Sequence, residues 1–416
     1  RDCVPVVGEN GETSGRCLPV AAPGKRVDRG TPVFSDPLTI DNPLHPTTEV
    51  AQTILGGQVD GAPFRTEVTL LPDVKTITWK GHRIKAVTSQ YLAFSDGRIH
   101  EVALDWYAQA DDGSVWYLGE DVFNYQDGVV ADTEGTWVAG DKAPAAMIMP
   151  ATPDKGDVYR PENVPGAVFE EVTVGSVNET VTGPSGPIKG AIVVDELHMD
   201  GSHESKTFAP GYGEFATGTS SGDLEAVSLA LPTDAAKGPV PDELNTMATL
   251  VRNASDAAAS KDWTAATKAA KALTRAWAEF QPGDAPLKLL RTQTDRDIDV
   301  YAKAVAGRDA DTARDAALRI AQDHLDLVSR YQPVTTTDLA RMRLWADQLR
   351  YDAAARDKAA VAGDVATLKW TFDRVRGTVA DPEAVDDVLA ELRTAARSGD
   401  LAATGTGAAK LSALLR

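Results

Sequence analysis

The chain has 416 residues and a formal net charge of −19, and 43% of its residues are hydrophobic. Such acidity argues against nucleic acid or an anionic membrane as the main partner, because both recruit Lys and Arg. No apolar run approaches the roughly 18 residues of a membrane span, and the length predicts at least two domains.

The N-terminal segment, residues 1–33, contains the two cysteines of the chain, Cys3 and Cys17. A disulfide closing so short a loop would contribute about 3 kcal/mol and requires an oxidising compartment. The chain begins at Arg1 without an initiator Met, which is typical of a protein whose secretory signal was removed. We therefore predict a Cys3–Cys17 disulfide in a secreted or cell-envelope protein; the alternative is two free thiols in the cytosol.

Residues 34–234 predict an antiparallel β-domain. Between about residues 64 and 130, apolar and polar residues alternate, and Asp-Gly pairs at 96–97 and 112–113 separate the runs. This pattern is typical of consecutive β-hairpins. Runs of the same period resume between residues 168 and 231, so we expect one meander of strands with a long irregular connection in its middle.

One hairpin of this domain carries the most distinctive chemistry. If Asp112-Gly113 forms a two-residue turn, the register places Asp105 directly opposite Glu120, with Tyr107 and Trp116 on the same face. Two carboxylates opposed across a hairpin are destabilising unless a cation, a proton or a basic side chain lies between them. We predict a ligand-binding site formed by these four residues.

This carboxylate pair has two functional interpretations. In the first, Asp105 and Glu120 bind a ligand or a hard cation such as calcium, which prefers oxygen donors. In the second, they are the acid/base pair of a secreted hydrolase, since glycosidases place two carboxylates at least about 5 Å apart. The sequence contains no Gly-x-Ser-x-Gly elbow, P-loop or His-Glu-x-x-His motif, so binding is favoured over catalysis.

A second hairpin suggests a transition-metal site. With Asp200-Gly201 as a two-residue turn, His198 faces His203 at a cross-strand distance of about 5 Å. Glu196 lies on the same face and would supply a third ligand. Two imidazoles and a carboxylate suit copper or zinc, whereas the alternative is a pair of solvated histidines at a hairpin tip.

The C-terminal part predicts an all-α domain. After a linker at residues 235–241, apolar residues recur every three or four positions over residues 242–416, as in a bundle of helical hairpins. Asp262, Asp364 and Asp400 each precede such a stripe and are predicted helix N-caps. The fold class is therefore α+β, an N-terminal β-meander followed by a helical bundle.

Two motifs resemble signatures of a family of uncharacterised exported bacterial proteins. The first is the string DWYAQ at 105–109 with DGSVWYLGE at 112–120, and the second is KTFAPGYG at 206–213. The resemblance covers about residues 34–216 and leaves the helical part outside it. It implies an extracytoplasmic β-rich module, and it carries no activity, substrate or partner.

The sequence thus favours an extracytoplasmic binding or interaction protein, with a divalent cation, either calcium or copper/zinc, as its candidate cofactor. Its ligand would be a small molecule, a polymer or a protein. The hydrolase and the copper/zinc-binding protein are the alternative hypotheses. A calcium site predicts a melting temperature that falls with EDTA, whereas a hydrolase predicts a cleft containing a carboxyl with a raised pKa.

Overall fold

The computed structural model describes residues 3–8, 11–140, 142–219, 222–280 and 287–415. In these residues every strand lies before residue 232 and every α-helix after residue 241. The predicted α+β class is confirmed, with an antiparallel sheet region followed by a bundle of helices. No helix in the described ranges is long and apolar enough to cross a membrane.

The sheet is a meander with one long-range closure, and its strands are listed here in chain order. They are β1 (Pro5–Val7), β2 (Thr13–Cys17), β3 (Gln52–Val59), β4 (Ala62–Trp79), β5 (His82–Ser95), β6 (Arg98–Gln109), β7 (Val115–Gln126), β8 (Val129–Asp132), β9 (Trp137–Val138), β10 (Ala146–Met149), β11 (Val158–Val164), β12 (Val168–Gly183), β13 (Gly186–His198), β14 (His203–Ala209), β15 (Gly213–Gly218) and β16 (Leu224–Leu231).

The first and last long strands of the meander pair with each other, because β16 is hydrogen-bonded to β3. The strand order is therefore β10-β7-β6-β5-β4-β3-β16-β15-β14-β13-β12-β11, with β8 and β9 on the side of β7. The two ends of this path also meet, since β10 packs beside β11 and Trp137 Nε1 of β9 donates to Glu162 Oε1 of β11 at 3.1 Å. The sheet thus curls around an interior.

The helices cover the outer face of β3–β6 and β16. They are α1 (Asp242–Ser260), α2 (Trp263–Phe280), α3 (Lys288–Gly307), α4 (Ala310–Ser329), α5 (Val334–Ala355), α6 (Lys358–Val375), α7 (Pro382–Ser398) and α8 (Leu401–Leu414). Their apolar stripes pack on alternate sheet residues; for example, Phe94 of β5 stacks on Trp345 of α5 at 5.6 Å.

Helix capping follows the sequence at two of the three predicted positions. Asp262 accepts from the N–H groups of Thr264 and Ala265, and Asp400 from that of Ala403. The prediction for Asp364 is wrong, because α6 begins earlier and is capped by Asp357.

The N-terminal segment is closed by the predicted Cys3–Cys17 disulfide. Strands β1 and β2 pair next to it. Val4 and Leu18 pack on the sheet residues Phe169 and Leu197, so this segment covers the outer face of β12 and β13.

Candidate functional site

The hairpin between β6 and β7 has a three-residue loop rather than the predicted two-residue turn. Ala110 N donates to Ser114 O at 2.8 Å, which makes Asp111, Asp112 and Gly113 the loop. Gly113 has a φ of 90°, the left-handed conformation that ends this type of loop. Asp112 Oδ1 accepts from Ser114 N at 2.9 Å, and this Asx-type contact favours the longer loop.

A bulge in β7 restores the predicted carboxylate pair. Tyr107 faces Tyr117 and Asp105 faces Glu120, so β7 has one extra residue between these two pairs. Gly119 lies in this bulge with a φ of 126°, and a Cβ there would be 2.3 Å from Trp137 O. The glycine therefore allows both the bulge and the close approach of β9.

The same register removes Trp116 from the predicted site. Trp116 pairs with Ala108, so its side chain lies on the opposite face from Tyr107, because successive strand residues alternate. It is buried there and donates from Nε1 to Ser114 Oγ at 2.9 Å. Tyr117 takes its place, stacking on Tyr107 with ring centroids 4.8 Å apart.

Asp105 and Glu120 lie inside the curled sheet. Asp105 is only 7% exposed and accepts a hydrogen bond from Tyr117 Oη at 2.7 Å. Burial raises the pKa of Asp105 to about 7. Burial and the adjacent Asp105 charge raise the pKa of Glu120 to about 8. Protonation of one or both carboxyls therefore relieves the repulsion of this pair near neutral pH.

The pair belongs to a larger acidic lining of the interior. Strand pairing places carboxylates from eight strands on the same face of the sheet, where Lys206 and His198 are, among the described residues, the basic groups in contact with them. The set consists of Glu101, Asp105, Glu120, Glu162, Glu170, Glu196, Glu204, Glu214 and Glu225. Carboxylates thus outnumber basic groups on the described part of this face, and buried carboxylates in excess either hold a proton or require a cation.

Three of these interior positions form a potential metal centre. One donor atom from each of Glu170, Glu196 and His198 lies within 4.8 Å of the others, the one such group of three in the described ranges. His198 Nδ1 is 3.5 Å from Glu170 Oε1, and its Nε2 is 3.7 Å from Glu204 Oε2. The two ring nitrogens therefore face different carboxylates, and Glu204 is not among the three residues whose donor atoms lie close together.

The predicted pairing of His198 with His203 is wrong. The loop after β13 again has three residues, because His198 N donates to Ser202 O at 3.0 Å, and His203 pairs with Leu197. His203 consequently lies on the other face of the sheet, where its Nδ1 is 2.8 Å from Asp195 Oδ2. Glu196 does share a face with His198, as predicted.

Glu170 is the residue that the sequence analysis missed. It lies on β12 and pairs directly with His198 of β13. The two residues are separated by 28 positions and by several bulges in the β12–β13 ladder. Their alignment therefore depends on where the bulges fall, and no short-range spacing in the sequence indicates it.

The charges in this group are strongly coupled. Burial lowers the pKa of His198, but its hydrogen bonds to Glu170 and Glu204 outweigh this effect and raise the pKa to about 10. Burial raises the pKa of Glu170, yet His198 and Lys206 together lower it to about 2. The pKa of Glu196 rises to about 8 through burial and the Glu170 charge, although Lys206 Nζ lies 2.7 Å from its Oε2.

The group has a route to solvent. Glu170, His198 and Glu204 line an open cleft of about 970 Å³ between the β13–β14 hairpin and the β7 end of the sheet. Glu196, by contrast, is 1% exposed and lies beneath the other residues. An ion could therefore enter from the cleft and reach a buried carboxylate.

The hydrolase hypothesis has less geometric support. Asp105 lines a separate cavity of about 180 Å³, and Glu120 is not among the residues that line it. A glycosidase requires its two carboxyls on opposite sides of the substrate. The raised pKa of Asp105 is the one feature of this cavity that the hydrolase hypothesis anticipated, and without Glu120 on its wall the hydrolase stays a prediction.

No family model, curated protein or solved structure matches this chain. The resemblance to exported bacterial proteins therefore stays an expectation from the sequence. The function has to be argued from the geometry of the interior.

Proposed function

We propose that the chain is an extracytoplasmic binding protein that holds a divalent transition-metal ion in the interior of its curled sheet. Glu170, Glu196 and His198 are the ligands, and Glu204, which faces the other ring nitrogen of His198, would orient the imidazole. The observation that carries this proposal is the approach of the three donor atoms to within 4.8 Å of one another. The Cys3–Cys17 disulfide supports an oxidising compartment.

The donor set selects the class of metal. Zinc binds imidazole nitrogen and carboxylate oxygen at about 2.0–2.2 Å, so donors less than 5 Å apart reach one ion with small side-chain movements. Calcium prefers a shell of oxygen atoms, and an imidazole ligand disfavours it. The carboxylates of the Asp111-Asp112 loop are also engaged, since Asp111 accepts hydrogen bonds from Ser35 and Asp112 from Ser114.

Metal binding would replace the proton on His198 with the positive charge of the ion. Without a metal, the protonated His198 ring lies between Glu170 and Glu204. A bound ion requires the neutral imidazole, so the proton leaves and the ion neutralises the carboxylates in its place. Lys206 continues to balance Glu196 and Glu214 from the other side.

Zinc titration of tag-free, EDTA-treated protein by calorimetry tests this proposal. We expect one ion per chain, and we expect His198→Ala or Glu170→Gln to weaken binding by more than about 100-fold, since even outer-shell changes cost 10–100-fold. His203→Ala is the matched control, because this histidine lies five positions along the chain on the other face. It should bind zinc as the unmodified protein does.

Three results would contradict the proposal. The first is a protein that takes up no zinc or copper, and the second is a His198→Ala variant that binds like the unmodified protein. The third is an equal loss of binding in His203→Ala, which would place the ion at the hairpin tip that the sequence suggested.

A further inference from the structure

A cavity lies on the same inner face of the sheet, on the side of β3–β6. This cavity of about 180 Å³ is separate from the metal ligands. An apolar cavity of 150 Å³ is large enough for benzene, so a molecule with about six heavy atoms fits. Its lining combines carboxylates, aromatic rings and aliphatic side chains.

Two of the three carboxylates of this cavity lack a cationic partner in direct contact. In the described ranges, no Lys, Arg or His lies within 4 Å of a carboxylate oxygen of Asp105 or Glu225, whereas Glu214 is 3.9 Å from Lys206 Nζ. Glu225 Oε1 and the nearby hydroxyl of Thr66 are both buried, and neither has a hydrogen-bond partner of good geometry in the described residues. A buried acceptor of this kind costs free energy unless a ligand satisfies it.

The remaining lining adds no positive charge. His45 is the one basic side chain among the lining residues, and burial lowers its pKa to about 4, so it is neutral at pH 7. Its ring contacts Tyr107 edge-on with centroids 4.8 Å apart, and its Nδ1 is 2.9 Å from Thr47 Oγ1. Burial raises the pKa of both Asp105 and Glu225 to about 7, so the cavity becomes more negative as the pH rises above 7 and a bound cation would favour the ionised carboxylates.

The walls suit an organic cation better than a metal ion. Tyr91, Tyr107 and Tyr212 present aromatic surfaces, and Leu55, Val68 and Leu70 present aliphatic ones. Aromatic faces attract ammonium groups through cation–π interactions. Apolar side chains, by contrast, have no donor atoms that could coordinate a metal ion. The carboxylates of this cavity also do not form a close group of three of the kind found at Glu170, Glu196 and His198.

We propose that this cavity binds a small aliphatic amine as its ammonium ion. Glu225 pairs with the ammonium group, Asp105 adds a second acidic group to the wall, and the tyrosine rings with Leu55, Val68 and Leu70 enclose the short alkyl chain. This site is independent of the metal centre, so either one can fail without the other.

Calorimetric titration with n-butylamine tests this site, with n-butanol and butyrate as neutral and anionic ligands of the same chain length. We expect butylamine alone to bind with measurable heat at pH 7.5. Glu225→Gln should weaken it by about 10-fold, the loss of one charge-assisted contact, and Asp105→Asn, which removes an acidic group from the wall, should weaken it less. Glu179→Gln, at an exposed position of β12, should leave the affinity unchanged.

A zinc titration of the same variants separates the two proposals. Asp105→Asn should bind zinc normally, because Asp105 is not among the proposed ligands. Butylamine that does not bind, or butanol that binds equally well, would overturn the amine site. So would an equal loss of affinity in Glu179→Gln, since a response at that distance would reflect net charge only.

Discussion

Replacing Arg341 with Met is expected to lower the free energy of unfolding by about 3–5 kcal/mol, the usual cost of removing one partner from a buried ion pair. Arg341 is 2% exposed on α5. Its guanidinium lies 2.6 Å from Asp338, 2.8 Å from Asp326 and 3.3 Å from Glu67. Met fills a similar volume but leaves the carboxylates with too few cations.

Urea unfolding followed by circular dichroism measures this effect, and the chain offers a matched control. Arg350 lies on the same helix but is half exposed and paired with Asp347 at 3.1 Å. Arg350→Met should cost less than about 1 kcal/mol, as surface ion pairs do. Equal urea midpoints for Arg341→Met and Arg350→Met would show that the buried cluster does not hold the helices on the sheet.

The reason for so large an effect is the position of the cluster between the two parts of the fold. Arg65 and Glu67 of β4 project from the outer face of the sheet toward the helices. Arg65 Nη2 is 2.6 Å from Asp326 of α4, and Glu67 accepts from Arg374 of α6. Charged groups from a strand and three helices thus compensate one another in a buried layer, and the loss of one affects all of them.

The second large effect is a change in the pH dependence of stability on replacing Asp105 with Asn. Its folded pKa of about 7 is above the value of about 3.9 in an unfolded chain. The folded protein therefore binds this proton more tightly, and the resulting stabilisation is complete below about pH 4 and lost as the pH rises through 7. Asn cannot ionise, and its carbonyl oxygen still accepts from Tyr117.

We expect Asp105→Asn to be more stable than the unmodified protein at pH 8 by about 2–4 kcal/mol, with a smaller difference at pH 5. Denaturant unfolding at the two pH values provides the measurement. Asp121→Asn is the control, because Asp121 is half exposed on β7 and is 3.9 Å from Lys75. An Asp105→Asn variant that keeps the original pH slope would contradict the proposed protonation of the pair.

The alternation of the strands and the stripes of the helices could be predicted from the sequence, because both depend on neighbouring residues. The predicted lengths of the two hairpin loops were wrong, because each loop has three residues instead of two. Both Asp112-Gly113 and Asp200-Gly201 are followed by Ser, and each Asp accepts from the N–H of that Ser, at 2.9 and 2.7 Å. This shared Asp-Gly-Ser pattern is a local signal for the three-residue loop.

The wrong loop length had different consequences in the two hairpins, because only the first contains a bulge that shifts the register. In the first, the bulge at Gly119 shifted the register back, so Asp105 still faces Glu120. In the second, no shift occurs between β13 and β14, so His203 lies on the face opposite His198.

Long-range pairing explains the remaining differences. Glu170 reaches His198 only through the bulged β12–β13 ladder. Asp364 was predicted as an N-cap, yet it is buried within α6 and lies 3.3 Å from Arg98 of β6. In both cases a residue far away in the chain determines the role of the carboxylate.

Anomalous diffraction at the zinc absorption edge, from crystals grown with one equivalent of zinc, tests the central claim most directly. The proposal predicts one strong peak bounded by the carboxylates of Glu170 and Glu196 and the imidazole of His198. A peak beside His203 and Asp195, or between Asp105 and Glu120, would contradict it. So would crystals of zinc-saturated protein with no peak in the sheet interior.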